Sequence, residues 1–435
     1  MVQTTLKKNK IKSGVLKNGI KYILNDNDTF SSCCIIFYIR VGAMHENPKE
    51  LGISHVLEHM LFKGTQRFQT FMDLNKNFDI LNCNVNAATS KHLTYIDMKL
   101  PYQNLNKGLE LLEEMVFKSL FLEEELKKEM KVIIEEFNRV DDNPSTKLEI
   151  LTTQFNFQKH RLSNLILGSR ENVMGFSRKD IMRFYKKYYI PSNCTISIVG
   201  NLKNSIVKDL NKIFSMKDNK MTIKHEIVKY ENPNADNFLY KKNLGKQNTI
   251  SISFPIFSIM DIRKYYLDIL IDILGGNMTS RLWVALREEN QLVYIFNVFY
   301  ESYEDGGFFS INFTTSDNKV NKTIHIIMEI LEKMKKIKIS EDELKLTQKK
   351  AIMDIEINSE ESCEIAEFYG EQVILEQEVK TYKDIADIYK KCNLDILQKM
   401  CQEIFVFEKM KIVILGNIEK QKFNKITKNL LNKKK

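Results

Sequence analysis

Hydrophobic and polar positions alternate along the chain in two ways. Short apolar or alternating runs predict strands near 15–24, 33–41, 84–100 and 194–200, then near 248–255, 294–303, 307–315 and 411–416. Runs with helical spacing predict helices near 51–62, 104–118, 123–140 and 178–188, then near 261–274, 320–335, 341–375 and 380–404. In the helix opening at Glu123, the stripe Leu126, Met130, Ile133 and Phe137 marks the face that meets a core. Each half reads as a strand, a helix, a long strand, two or three helices and a final strand.

The halves also repeat in detail. Thr195-Ile-Ser-Ile-Val-Gly-Asn-Leu202 is echoed by Lys411-Ile-Val-Ile-Leu-Gly-Asn-Ile418. Glu123-Glu-Glu-Leu126 is echoed by Glu341-Asp-Glu-Leu344, and the interval from Glu123 to Glu341 nearly equals that from Thr195 to Lys411. The polar stretch 216–245, with Glu231-Asn-Pro-Asn-Ala-Asp-Asn237, reads as a linker. The expectation is an α+β chain of two structurally similar domains, 1–225 and 236–435, each a mostly antiparallel sheet with helices packed on one face, from an internal duplication.

Composition narrows the class. A chain of 435 residues with 43% apolar content can bury a substantial core. Its most apolar helical stretch, Leu267–Leu274, is short and broken by Asp268 and Asp272, far from the ~18 apolar residues of a membrane span. The balance of 65 basic and 56 acidic residues gives +9, but the charges are interspersed; clusters such as Lys333–Lys338 and the tail Lys433–Lys435 read as solvated surface rather than a nucleic-acid footprint. Neither a membrane nor a nucleic acid is expected as partner.

Lys7, Lys8, Lys10, Lys12, Lys17 and Lys21 give the start a transit-peptide look, yet a strand-like segment around the turn Asn18-Gly19 begins almost at once, so no targeting segment is read. Seven scattered cysteines with no Cys-x-x-Cys pair point to reduced thiols and against a zinc–thiolate site. A soluble protein of the cytoplasm is expected, ahead of the mitochondrial matrix.

The chemistry concentrates in Gly52-Ile-Ser-His-Val-Leu-Glu-His-Met60. His55 and His59 are four apart, about 40° around a helix, so both imidazoles leave one face and can reach one zinc ion. Glu58 stands beside them as a general base toward water. A polar helix face that happens to carry two histidines is the ordinary alternative, but Leu57, Met60 and Leu61 make this helix mostly apolar, and buried histidines need partners. A catalytic zinc takes a third protein ligand. The helix from Glu123 offers Glu129, Glu135 and Glu136; Glu129 and Glu136 share a face, and spacing alone does not choose between them.

These residues resemble the inverzincin superfamily, which includes pitrilysin, insulin-degrading enzyme and the mitochondrial processing peptidases. Its pattern places a ligand glutamate at a fixed count beyond the second histidine, which from His59 arrives at Glu136, and an assisting glutamate two helical turns earlier, here Glu129. The likeness extends through Val15-Leu-Lys-Asn-Gly19, Glu58-His-Met-Leu-Phe-Lys-Gly-Thr65, Asn86-Ala-Ala-Thr89, Leu274-Gly-Gly-Asn-Met-Thr-Ser-Arg-Leu282 and Leu286-Arg-Glu-Glu-Asn-Gln-Leu-Val-Tyr294 to Gly416-Asn417.

The resemblance implies one zinc per chain held by His55, His59 and Glu136, with Glu58 as base. It implies that Arg287 and Tyr294 meet the scissile carbonyl and the bound peptide, and that Asn86 and Ala87 pair with the substrate backbone. Two departures stand out: Asn82-Cys83 replaces the usual glycine before that strand, and His92 replaces a frequent Glu. Shifted by the interval from Glu123 to Glu341, the zinc motif falls on Ile273, Gly276 and Asn277, so only the first half is expected to bind metal. The implied activity is a zinc endopeptidase cleaving short or unfolded polypeptides in a chamber of four such domains. A chain supplying two of them implies a homodimer or a heterodimer with a related chain. A non-catalytic scaffold or peptide-binding subunit, and the catalytic half of a heterodimeric presequence-processing peptidase, are the alternatives.

Overall fold

The computed structural model describes residues 10–216, 223–230 and 237–418. They form two compact units, each built on one sheet and each interrupted in sequence. The basic tail Lys433–Lys435 and most of the Glu231–Asn237 linker lie outside the described residues.

In the first unit the strands are β1 (Lys10–Val15), β2 (Lys21–Asp26), β3 (Ser32–Ile39), β4 (Asn84–Thr89), β5 (Thr94–Pro101) and β6 (Cys194–Gly200), in the order β1-β2-β6-β3-β5-β4. The second has β7 (Phe238–Lys242), β8 (Gln247–Ile256), β9 (Phe296–Tyr303), β10 (Gly306–Ser316) and β11 (Lys411–Gly416), in the order β7-β11-β8-β10-β9. The orders superpose once β1 is set aside: β2 and β6 pair parallel, as do β7 and β11, and the remaining pairs are antiparallel. The α+β class and the internal duplication are thereby both present in the topology.

Neither sheet has a bare face. Along β3, Cys33, Ile35, Phe37 and Ile39 point into one large core, while Cys34, Ile36 and Tyr38 are equally buried on the other side. That is why β3 reads as an unbroken apolar run rather than an alternation. The second face is covered by the helix Ser362–Ile374, taken from the far half of the chain. Gly370 permits the approach: a Cβ there would sit 2.4 Å from the Tyr38 ring.

The second unit does the same with the helix Pro144–Phe157, whose Leu148, Leu151 and Phe155 pack on Val413 and Leu415 of β11. Buried Lys411 donates from Nζ to the carbonyls of Phe155 and Asn156, both at 2.9 Å, placing a cation where the end of that helix leaves carbonyls unpaired. Pro144 and Ser362, which open the two covering helices, stand at the same interval as Glu123 and Glu341, so the helices are themselves counterparts in the repeat.

This exchange corrects the contiguous ranges 1–225 and 236–435. The first unit takes in residues 355–383 and gives up 139–163. Period and composition carry no mark of which sheet a helix will cover.

Other elements are amended by local chemistry. The segment 84–100 is not one strand but the hairpin β4–β5, turned at Ser90–Leu93, where the Ser90 hydroxyl accepts from the Leu93 amide. The segment 15–24 is likewise a hairpin around Asn18-Gly19, Gly19 having φ 98°. The stretch 341–375 divides into Glu341–Asn358 and Ser362–Ile374, and 380–404 into Tyr382–Lys391 and Leu394–Ile404, where the Asn393 side chain caps the amide of Ile396. Strand β7 lies inside the stretch read as linker. The expectation of reduced thiols fails at one pair: Cys34 of β3 and Cys363 of the exchanged helix form a disulfide, with Cα atoms 5.2 Å apart across 329 residues of sequence. Among the described residues, no helix is long and apolar enough to cross a membrane.

Candidate metal centre

The motif helix, Ile53–Met60, is pinned at its start. Gly52 at its start has φ 96°, a conformation that suits glycine, and a Cβ there would meet the Leu167 carbonyl at 2.6 Å. Buried Glu46 accepts from the amides of Gly52 (2.7 Å) and Ser54 (2.8 Å), capping the helix with a carboxylate. Burial lifts the Glu46 carboxyl to about 7, against the pull of those hydrogen bonds. Ile53, Val56, Leu57 and Met60 fill the core and turn His55 and His59 the other way.

Across from them runs the helix Glu123–Asp142. Its Leu126, Met130 and Ile133 are buried in the same core, and Glu129 and Glu136 lie two turns apart facing the histidines. His55 Nε2 and His59 Nε2 are 3.2 Å apart; Glu136 Oε2 is 3.5 Å from the first and 3.8 Å from the second. A tetrahedral zinc with nitrogen and oxygen ligands near 2.0–2.1 Å separates its donor atoms by about 3.4 Å. The three atoms match that triangle, so His55, His59 and Glu136 fit a zinc ion. His55, Glu58 and His59 also offer one ligand atom each within 4.8 Å of one another. Glu58, however, is held from outside that triangle: the Thr89 hydroxyl, at the end of β4, donates to its Oε2 at 2.7 Å.

The electrostatics treat the two histidines differently. Burial, then the neighbouring His59, drives the His55 imidazole down to about 3, keeping it neutral and able to ligate. Burial alone would lower His59, but its hydrogen bond to Glu129 and the charges of Glu58, Glu129 and Glu136 outweigh it and raise the group. Glu129 completes a relay: its Oε1 lies 2.9 Å from His59 Nδ1 and its Oε2 2.6 Å from Lys63 Nζ. With Nδ1–H committed to Glu129, His59 Nε2 is left as the ligand atom. Burial would raise the Glu129 carboxyl, yet His59 and Lys63 together hold it below its ordinary value. Glu58 is raised, chiefly by burial.

Of the three glutamates that spacing left open, Glu135 is exposed and bonded to Asn138. Asn86 and Ala87 lie on β4, the outer strand of its sheet, with Asn86 exposed and Ala87 half-buried. The missing glycine before β4 is accommodated: Asn82 takes φ 48°, a left-handed position that asparagine tolerates. His92 falls in the β4–β5 turn.

Arg287 and Tyr294 belong to the second unit. Arg287 sits in the π-helical turn Val284–Glu289, and Tyr294, 77% exposed, follows in the connection to β9. Ile273, where the repeat would place the first histidine, is a buried core residue.

Glu46, Lys63, Thr89 and Trp283 stand outside the residues that the sequence marks for the site. Lys63 had a signal, since it stands four residues after His59; Glu46 had none.

Residues 21–170 match the family described as insulinase (peptidase family M16), and residues 175–351 match the peptidase M16 inactive domain. An uncharacterized zinc protease of Bacillus subtilis, YmxG, is 30% identical over 396 residues, 91% of this chain and 96% of that protein. Another uncharacterized zinc protease, from Rickettsia bellii, is 32% identical over 307 residues, 70% of this chain and 73% of that protein. The fold matches a crystal structure of a protease from Helicobacter pylori with a TM-score of 0.87 at 23% identity, covering 94% of this chain and 99% of that one. Duplicated sheets, a His-x-x-Glu-His helix and near full-length similarity to named zinc proteases leave one assignment: the chain belongs to peptidase family M16.

Proposed function

We propose that the chain is a zinc-dependent endopeptidase acting on short or unfolded polypeptides, with one zinc held by His55, His59 and Glu136. The observation that carries this reading is the donor triangle of 3.2, 3.5 and 3.8 Å between three side chains from two separate helices. Zinc, when bound, supplies a Lewis acid that polarises the scissile carbonyl and acidifies water. Glu58, its carboxyl raised by burial and aimed by Thr89, takes the proton of the attacking water. As the water oxygen adds to the carbonyl carbon and the C–N bond breaks, Glu58 returns that proton to the leaving amine. Glu129 assists by holding His59 in the ligating tautomer.

Asn86 and Ala87 occupy a strand edge to which a peptide backbone can add. Arg287 and Tyr294 supply donors for substrate oxygens, the tyrosine toward the developing oxyanion. The working form is a dimer, with itself or with a related chain. A non-catalytic peptide-binding subunit draws support from the inactive-domain match over 175–351. Against that alternative, the first unit retains a full set of donors in ligating geometry.

The test is to purify the chain, measure zinc per chain and follow cleavage of a quenched peptide library, alongside Glu58→Gln. About one zinc per chain, with hydrolysis lost only in the variant, supports the reading. Stoichiometric zinc without hydrolysis, alone or in any related dimer, would favour the binding subunit.

A further inference from the structure

Around Arg287 the second unit carries an arrangement that the proposed function does not use. The helix begun at Arg281–Trp283 widens into a π-helical turn over Val284–Glu289 and then stops, with Gln291 at φ 50°. Such widened turns are uncommon and recur at functional sites. The turn brings the Arg287 guanidinium over two rings: its central carbon lies 4.5 Å from the Trp283 centroid and 5.3 Å from that of Tyr294. The Trp283 ring is itself held, its Nε1 donating to Glu288 at 3.0 Å and its centroid lying 5.8 Å from that of the tilted Phe296 ring. Tyr294 is exposed, and Arg287 reaches it a second time, Nη1 donating to its backbone carbonyl at 3.3 Å.

We propose that Trp283 is a positioning residue for peptide binding: it seats the Arg287 guanidinium so that its remaining N–H donors face a planar oxygen acceptor of the substrate. The inference rests on the reading of Arg287 as a substrate-binding residue. A free arginine side chain gives up substantial rotamer freedom when it binds, and one already stacked on a fixed ring has less to lose. Stacking uses the face of the guanidinium and leaves its edge for hydrogen bonds, so seat and ligand do not compete. The acceptor is an oxygen of the peptide, from either its backbone carbonyls or its terminal carboxylate.

Steady-state kinetics on the zinc-loaded full chain test this with Trp283→Phe, Trp283→Leu, Arg287→Met and the double variant Trp283→Leu/Arg287→Met, each checked for an unchanged melting temperature. Loss of one cation–π partner predicts a rise in KM of about two- to five-fold for Trp283→Leu with kcat nearly unchanged, and a smaller rise for Trp283→Phe, which keeps an aromatic face. In the Arg287→Met background the Leu substitution should add nothing, because Trp283 acts through Arg287. Should the Leu variant not fold, Trp283→Phe alone and combined with Arg287→Met gives the same comparison.

Peptides ending in a free acid or an amide distinguish the acceptor: an effect confined to the acid identifies the carboxylate, an equal effect identifies the backbone. Trp283 is the single tryptophan of the chain, so its emission reports this seat alone. In a Glu58→Gln background an uncleaved peptide should shift that emission, and Arg287→Met should abolish the shift. If Arg287→Met leaves KM unchanged, the reading of Arg287 fails and the seat fails with it. If Arg287→Met raises KM while the Trp283 variants do not, or if the two effects add, the positioning role alone is overturned.

Discussion

Replacing Glu129 by Gln should weaken zinc binding by about 10- to 100-fold while leaving the three ligands in place. Glu129 uses one oxygen for His59 Nδ1 at 2.9 Å and the other for Lys63 Nζ at 2.6 Å, and both partners require an acceptor. A glutamine has one acceptor and one donor end, so either orientation fails one partner. With its oxygen toward His59, its NH2 faces the Lys63 ammonium. With its oxygen toward Lys63, its NH2 faces Nδ1 and drives the imidazole proton to Nε2, the atom that must ligate. The expected loss corresponds to about 1.4–2.7 kcal/mol of binding free energy. Competition titration against a chromogenic chelator at fixed pH and salt reads the zinc Kd directly. Lys63→Met should cost less than Glu129→Gln, because it leaves the carboxylate on His59. A Glu129→Gln affinity within twofold of wild type would refute the tautomer argument, and a loss as complete as that of His59→Ala would make Glu129 a ligand.

Glu136→Gln should lose zinc on dialysis, whereas Glu135→Gln, altering an exposed side chain bonded to Asn138, should retain it; equal loss would undo the choice of third ligand. Glu58→Gln should keep its zinc and lose about 10²- to 10⁴-fold in kcat, with Thr89→Val giving a smaller loss, and metal analysis beside initial rates separates base from ligand. Burial holds the Lys411 ammonium down to about 8 in the folded chain, against about 10.4 when unfolded, so between those values the unfolded state binds the extra proton and stability rises with pH. That contribution, on the order of 1–2 kcal/mol after allowance for partial screening, should vanish in Lys411→Met when melting is followed from pH 8 to 10, and an unchanged slope would show the ammonium to be better solvated than its burial implies.

Much of the candidate metal centre is legible in the sequence because its residues are local or periodic. His55, Glu58 and His59 lie within five residues on one helix, and Glu129 and Glu136 share a face through the seven-residue repeat of a helix. The choice of Glu136 over Glu129 was not local, since it depends on which turn of the Glu123–Asp142 helix stands opposite the histidines; family resemblance supplied the count. Tertiary partners were out of reach. Glu46 caps the histidine helix through a folded-back segment, and Thr89 meets Glu58 only because β4 ends beside it. The exchanged helices show the same limit at the scale of the fold. Their apolar residues, such as Leu148 and Phe157 or Ile365 and Tyr369, need a sheet to cover, and both sheets are chemically acceptable partners. The Cys34–Cys363 bridge belongs to the same class, joining two residues that no spacing relates.

The geometry around Thr89 would tie the proposed peptide binding at β4 to the proposed base. Among the described residues strand β4 pairs with β5 alone, which leaves its other edge for an added strand. The strand ends at Thr89, whose hydroxyl is bonded to the carboxylate of Glu58. At about 3.3 Å per residue, Asn86 stands roughly 10 Å back along the strand from that bond. A peptide paired with this edge would be held about 4.8 Å from β4, with its register fixed relative to the base by backbone hydrogen bonds rather than by side chains. Slipping by one residue would turn every substrate side chain to the opposite face, so pockets along the edge could select side chains while the distance to Glu58 stayed the same. Such an edge suits extended, unfolded segments and excludes peptide bonds already committed to a helix or sheet, because their backbone groups are occupied. The proposed preference for unfolded polypeptides would then follow from the ladder itself.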